Sequence, residues 1–182
     1  MVWRNLTQLP PIKYICGFCG NSVASVNGFY DPENIRFIYE CPYCNQPTYL
    51  SESKMQVPGV PPGAEVANVP KLLDSLYKEA RNCVAIGSYT AAVLVCRKML
   101  MNIAVEQGAE VDKPFILYVD FLADHGYIPP KGRGWVDHIR TKGNEATHEI
   151  ALMSQADAEE LISFIEMLLK FIYEFPARIP KT

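Results

Sequence analysis

Four of the six cysteines in this 182-residue chain form two matched pairs, Cys16-Gly-Phe-Cys19 and Cys41-Pro-Tyr-Cys44. Two residues between cysteines let a tight turn aim both sulfurs at one tetrahedral ion, with metal–sulfur bonds of about 2.3 Å. Gly20 and Asn45 follow the second cysteine of each pair. Both residue types tolerate the left-handed backbone that turns amide N–H groups toward the sulfurs. The pairs lie 21 residues apart, room for the hairpin of a zinc ribbon. The reading is that Cys16, Cys19, Cys41 and Cys44 bind one structural zinc ion (Zn2+). Four thiolates leave no position for a substrate water, so the ion builds the fold and does no chemistry. Two disulfides, or a redox Cys-x-x-Cys, are the alternatives. A redox motif has no need of two copies, and no thioredoxin-like βαβ pattern surrounds either pair. Cys83 and Cys96 sit among small apolar residues in helical patterns and read as core residues.

A second group lies in Asp137-His-Ile-Arg140-Thr-Lys-Gly143-Asn144-Glu-Ala-Thr-His148. On an unbroken helix Arg140, Asn144 and His148 share one face. If Gly143 ends a helix, Asn144 caps the next, and the three stay close in sequence. A guanidinium can clamp a phosphate and an imidazole can move a proton, so the trio could serve phosphoryl chemistry. The plainer reading pairs Arg140 with Asp137 or Glu145, makes Asn144 a cap and buries His148 between helices. Lys131, Arg133, Arg140 and Lys142 form a local basic cluster beside the trio.

These residues need two different scaffolds. Residues 1–50 hold β-type runs, notably Ser22-Val-Ala-Ser-Val and Ile35-Arg-Phe-Ile-Tyr-Glu, with Asn27-Gly28 expected as the turn between them. Residues 51–69 carry several prolines and glycines with no helical stripe, and read as a Pro-rich connector. From residue 70 the apolar period becomes helical. Pro70 opens a first helix to about residue 86, striped by Leu72, Leu73, Leu76, Tyr77 and Ala80. Ser88 is expected to cap a second helix ending at Gly108, and a third spans about residues 113–123. A fourth covers about residues 135–148, and a fifth starts at Ser154, with Asp157 three residues on, and ends before Pro176. The fold class is therefore α+β, a small ribbon of β hairpins followed by an up-and-down helical bundle over residues 70–182. Trp135 and the run from Phe171 to Phe175 are expected in the core or in a dimer contact.

Net charge is −3, so no chain-wide positive field draws the protein to nucleic acid, and any such contact needs a local patch. The N-terminal residues lack a signal-peptide core, and no apolar run approaches the roughly 20 residues that cross a bilayer. A cytoplasmic location with no membrane partner is the expectation.

The trio's segment, with Leu76-Tyr-Lys-Glu-Ala-Arg81 and Ala91-Ala-Val-Leu-Val-Cys-Arg97-Lys-Met-Leu100, resembles the domain-of-unknown-function family 4145 over roughly residues 65–178. That family belongs to the HEPN superfamily of helical bundles, where an N-terminal zinc ribbon is a familiar arrangement. The resemblance implies a homodimer in a prokaryotic defence or stress setting, binding RNA, DNA or a partner protein. Many HEPN proteins are metal-independent endoribonucleases with a composite site of Arg, four to six residues, then His. Carried over, His148 would be general acid or base, Arg140 the phosphate clamp and Asn144 the residue that orients the imidazole. Seven residues separate Arg140 from His148 here, and Thr141 replaces the usual strongly polar residue. The leading expectation is therefore an interaction module, with the endoribonuclease as the alternative.

Overall fold

A computed structural model describes residues 3–33, 35–129, 134, 141 and 152–179. The chain divides into two compact units, Met1–Pro61 and Pro62–Thr182. The architecture is α+β, an antiparallel sheet with a cysteine cluster followed, among the described residues, by four helices of ten residues or more.

The first unit is a five-stranded sheet of β1 (Thr7–Ile15), β2 (Ser22–Tyr30), β3 (Phe37–Glu40), β4 (Pro47–Leu50) and β5 (Gln56–Val57), ordered as in the chain. Asn27-Gly28 is not a turn but lies inside β2, where Gly28 pairs with Thr7 on one side and Tyr39 on the other. The glycine is there for close approach. A Cβ on Gly28 would stand 2.0 Å from the Ile38 carbonyl oxygen. Pro10 and Pro11 have no N–H to give, and the β1–β2 register slips between Gln8 and Ile12, where they fall. Part of the expected connector belongs to the sheet, because β5 pairs with β4. The inner face buries Leu9, Tyr14, Cys16, Val23, Tyr39, Cys41 and Leu50.

The second unit packs α1 (Lys71–Ala85), α2 (Tyr89–Glu106), α3 (Phe115–Asp124) and α4 (Gln155–Leu169). Helix α2 touches the other three and buries Ala92, Val93, Cys96, Met99, Leu100, Ile103 and Ala104. A helix contacted on several sides must be apolar on several sides. In α1 the stripe is Leu73, Tyr77, Ala80 and Val84, whereas Leu72 faces solvent at 78 % exposure. Gly87 takes φ of 80° after α1, and the Gly87 and Ser88 amides donate back to Val84 and Cys83. This is the hydrogen-bonded stop that a left-handed residue permits. Ser88 does precede α2, yet its side chain makes no capping bond. Ser154 behaves as expected, with reciprocal bonds to Asp157 forming a capping box. Helix α4 does not stop before Pro176. It passes through a π turn, Lys170–Glu174, and resumes over Phe175–Ala177. Pro176 lies in the first turn of that last segment. The expected helix at about residues 135–148 lies outside the described residues.

Residues 62–69 are bound along the bundle as a strap. Arg81 donates to the Pro62 and Gly63 carbonyls at 2.7 and 2.8 Å, and the Tyr77 hydroxyl donates to Ala64 at 3.1 Å. The Ala64 and Ala67 amides donate to the carboxylates of Glu166 and Glu174. The Tyr77 and Arg81 of the sequence motif thus hold main chain, and Arg81 also meets the Glu65 carboxylate at 3.4 Å. Burial by itself would raise the Glu166 carboxyl, but Lys170, the Ala64 amide and Arg81 hold it below its ordinary value. A carboxyl lowered in the fold stabilises above its unfolded value and loses that contribution as pH falls. Wild type should therefore lose more stability than Glu166→Gln as pH drops below about 4.5. Urea unfolding at pH 7 and pH 3.5 checks this; parallel loss in both proteins contradicts it.

Candidate metal centre

Each cysteine pair is built on a tight turn at a strand end. Cys16 ends the run of β1 and Cys41 that of β3, and β2 and β4 begin just beyond Cys19 and Cys44. The two turns share one bonding pattern. The Cys16 amide donates to Asn21 at 3.0 Å and the Gly20 amide to Cys16 at 2.9 Å. Likewise Cys41 donates to Gln46 at 2.9 Å and Asn45 to Cys41 at 2.8 Å. Gly20 has φ of 69° and Asn45 of 58°, the left-handed positions their residue types foretold. The turned amides of Phe18 and Cys19 reach the Cys16 sulfur, that of Asn21 reaches Cys19, and that of Gln46 reaches Cys44.

All four sulfurs lie within 4.8 Å of one another. Cys16 and Cys44 sulfurs are 3.7 Å apart, and those of Cys19 and Cys41 are 3.8 Å apart. Neither distance is near a disulfide bond, and all six cysteines of the chain are free thiols. A tetrahedron with metal–sulfur bonds of about 2.3 Å has edges of about 3.8 Å. The donor set therefore fits one tetrahedral divalent ion. Electrostatics agree. Burial, then its neighbours' sulfurs, pushes Cys44 up to about 12 despite the Gln46 amide. Burial raises Cys19 as well, but bonds from Asn21 and the Cys16 and Cys44 thiols outweigh it and bring it to about 7. Protons crowd onto some thiols because four bare thiolates so close would repel. A cation in their midst removes that conflict.

Several supporting residues carried no sequence signal. The Trp3 indole N–H donates to the Asn45 carbonyl at 2.7 Å, and its ring meets Phe29 edge-on. The Tyr14 and Thr48 hydroxyls are buried with no hydrogen-bond partner of good geometry among the described residues. Burial, reinforced by nearby Cys41, Cys16 and Cys44, lifts the Tyr14 hydroxyl to about 12. Gly17 packs against the chain after β5, where a Cβ would stand 2.4 Å from the Gly59 carbonyl oxygen. Phe18 and Tyr43, between the cysteines of each pair, point out at 54 % and 73 % exposure.

The other candidates divide sharply. Arg140, Asn144 and His148 lie outside the described residues, as do Lys131, Arg133, Trp135, His138 and Lys142. Thr141 is described, helical and exposed. Arg97 lays its guanidinium 4.1 Å from the centre of the Phe115 ring, and burial lowers its pKa. His125 is exposed at the end of α3, stacked on Phe121 with its Nδ1–H toward the Phe121 carbonyl. Cys96 is fully buried and its thiol is pushed up to about 12 by burial, while Cys83 is raised for the same reason. Neither is an activated nucleophile. Among the described residues no helix is long and apolar enough to cross a membrane.

The first unit is thus defined by its four-thiol centre, and the second by a helical core with a strap of main chain held along it. A family model described as Domain of unknown function (DUF4145) matches residues 78–181, more than half the chain. The chain belongs to that family. The match begins within α1, covers the later helices and leaves the thiol centre outside it. Comparison with curated proteins and with solved structures found no match.

Because Gly17 must approach the Gly59 carbonyl, Gly17→Val should displace the first turn and its two sulfurs. Competition with a metallochromic chelator should show at least about tenfold weaker metal retention in Gly17→Val than in wild type. Unchanged retention would contradict this account of Gly17.

Proposed function

We propose that Cys16, Cys19, Cys41 and Cys44 hold one structural zinc ion in a zinc ribbon, and that the chain is a nucleic-acid or protein interaction module. The observation that carries the first part is the sulfur cluster, whose edges match a zinc–thiolate tetrahedron. A four-thiolate shell has no open position, so the ion builds a surface and does not activate water. Zinc also suits the setting better than a redox pair, because the sulfurs are braced by amide N–H groups on both turns. The inner face of the sheet is small, and two of its buried residues are themselves ligands. Metal then supplies much of the folding free energy of the first unit.

The interaction part of the reading is supported by what the ribbon displays. Phe18 and Tyr43 stand exposed at the two turns, and Ile15, just before Cys16, is 46 % exposed. Rigid exposed aromatics are the residues that binding surfaces favour. A HEPN-like bundle, as the sequence resemblance suggests, would carry this ribbon in a homodimer.

Elemental analysis of purified protein should give one zinc per chain, and Cys41→Ser should hold far less. Chelation should then remove the sheet's spectroscopic signal and leave the helical one. A fully folded, zinc-free chain would refute the ribbon. Structured RNAs incubated with the protein in EDTA should remain intact. Cleavage that disappears in both His148→Ala and Arg140→Ala would replace the module with an endoribonuclease.

A further inference from the structure

The sheet has a second face, and its register makes that face continuous. Phe29 pairs with Ile38, Ile38 with Tyr49, and Tyr49 with Val57, so one row crosses four strands. Directly opposed residues share a face, and adjacent rows point to opposite faces. The next row, Gly28, Tyr39 and Thr48, is buried on the inner side. The Phe29 row therefore points outward, and Ile38 and Val57 are 39 % and 40 % exposed. Where β2 ends and β3 begins, a cleft of about 400 Å³ is lined by Phe29, Tyr30, Phe37, Ile38 and Tyr49 together with Asp31 and Arg36. A neighbouring hollow shares Arg36 and adds Glu33 and Glu52.

The charges select the occupant. Across the cleft and the neighbouring hollow three carboxylates, Asp31, Glu33 and Glu52, stand against the one guanidinium of Arg36. Asp31 is occupied by the Ile35 and Arg36 amides and by Arg36 Nε. Glu33 is 71 % exposed and lies 3.9 Å from an Arg36 nitrogen, and Glu52 is exposed as well. Aromatic faces attract cations, and surplus carboxylates beside them reinforce that preference. The same rings could stack bases, but a polynucleotide brings phosphates that need cations in return. This rim offers the wrong sign.

We infer that this face docks a basic peptide segment of a partner protein. Its lysine or arginine side chains lie over Tyr49 and reach Glu33 and Glu52, while an apolar neighbour rests on Ile38 and Val57. The inference rests on the interaction-module reading and selects its protein branch.

The test uses the full zinc-loaded chain and a fluorescent decapeptide alternating lysine with valine. Comparison probes are the same peptide with glutamate for lysine and an oligothymidylate of similar length. Only the basic peptide should bind, and added salt should weaken it. Glu33→Gln with Glu52→Gln, or Tyr49→Ala, should each weaken binding about three- to tenfold. Arg36→Gln should tighten it, and Glu110→Gln on the helical unit should leave it unchanged. Equal binding of all three probes would overturn the proposal, as would indifference to Glu33→Gln with Glu52→Gln. Oligothymidylate binding that is lost in Arg36→Gln would replace the peptide with nucleic acid. A zinc-loaded chain that binds no probe defeats the docking face and leaves the metal reading standing. A chain without zinc defeats the metal reading first.

Discussion

Four sulfurs within 4.8 Å of one another are the constraint on which the first unit depends. Thiolates at that spacing repel, and a single cation among them would convert the repulsion into attraction. The alternatives to metal are poor, because the sulfurs sit too far apart for S–S bonds. The surrounding sheet reads as a consequence. Its turns aim amides at sulfur, Gly17 accepts the chain after β5, and Trp3 is tied to the second turn. Seven residues form the buried cluster of this face, and two of them are Cys16 and Cys41. Hydrophobic burial on that scale leaves a small unit marginal, a gap that a bound metal would close.

The second unit needs no such clamp. Tyr77, Phe164, Met99 and Leu100 are among its fully buried side chains, and α2 is enclosed by the other helices. What is unusual is how the strap is held. Arg81, Tyr77, Glu166 and Glu174 all bind its main chain, so charged and polar groups near the core are satisfied by backbone as well as by ion pairs such as Arg81 with Glu65 and Glu166 with Lys170. Glu174 is buried and also accepts from Arg178, which keeps its carboxylate paired. The π turn falls in this same stretch. An extra residue there changes which side chains face the strap, and π turns are often retained for such a purpose.

Legibility in the sequence followed the range of the interaction. Cysteine pairing, the left-handed Gly20 and Asn45, the Ser154–Asp157 box and the apolar stripe of α4 are all local, and each was readable from spacing. Asn27-Gly28 looks like a turn because Asn-Gly favours a hairpin turn locally, whereas here the glycine serves close contact with Ile38 on the neighbouring strand. Strand β1 escaped notice because Pro10 and Pro11 interrupt its pattern. The strap looks like a Pro-rich connector in sequence because its partners, Glu166 and Glu174, lie about a hundred residues away. Arg81 and Tyr77 were visible as motif residues, but nothing in the motif says that they hold backbone. The outward row on the sheet depends on register across four strands, which no single run of residues reveals.

The measurement that bears most directly on the thiol centre is X-ray absorption at the zinc edge of the purified full chain. The account predicts a single shell of four sulfur neighbours at about 2.3 Å, with no light-atom ligand. A shell containing oxygen or nitrogen, or zinc bound by fewer than four sulfurs, would contradict it.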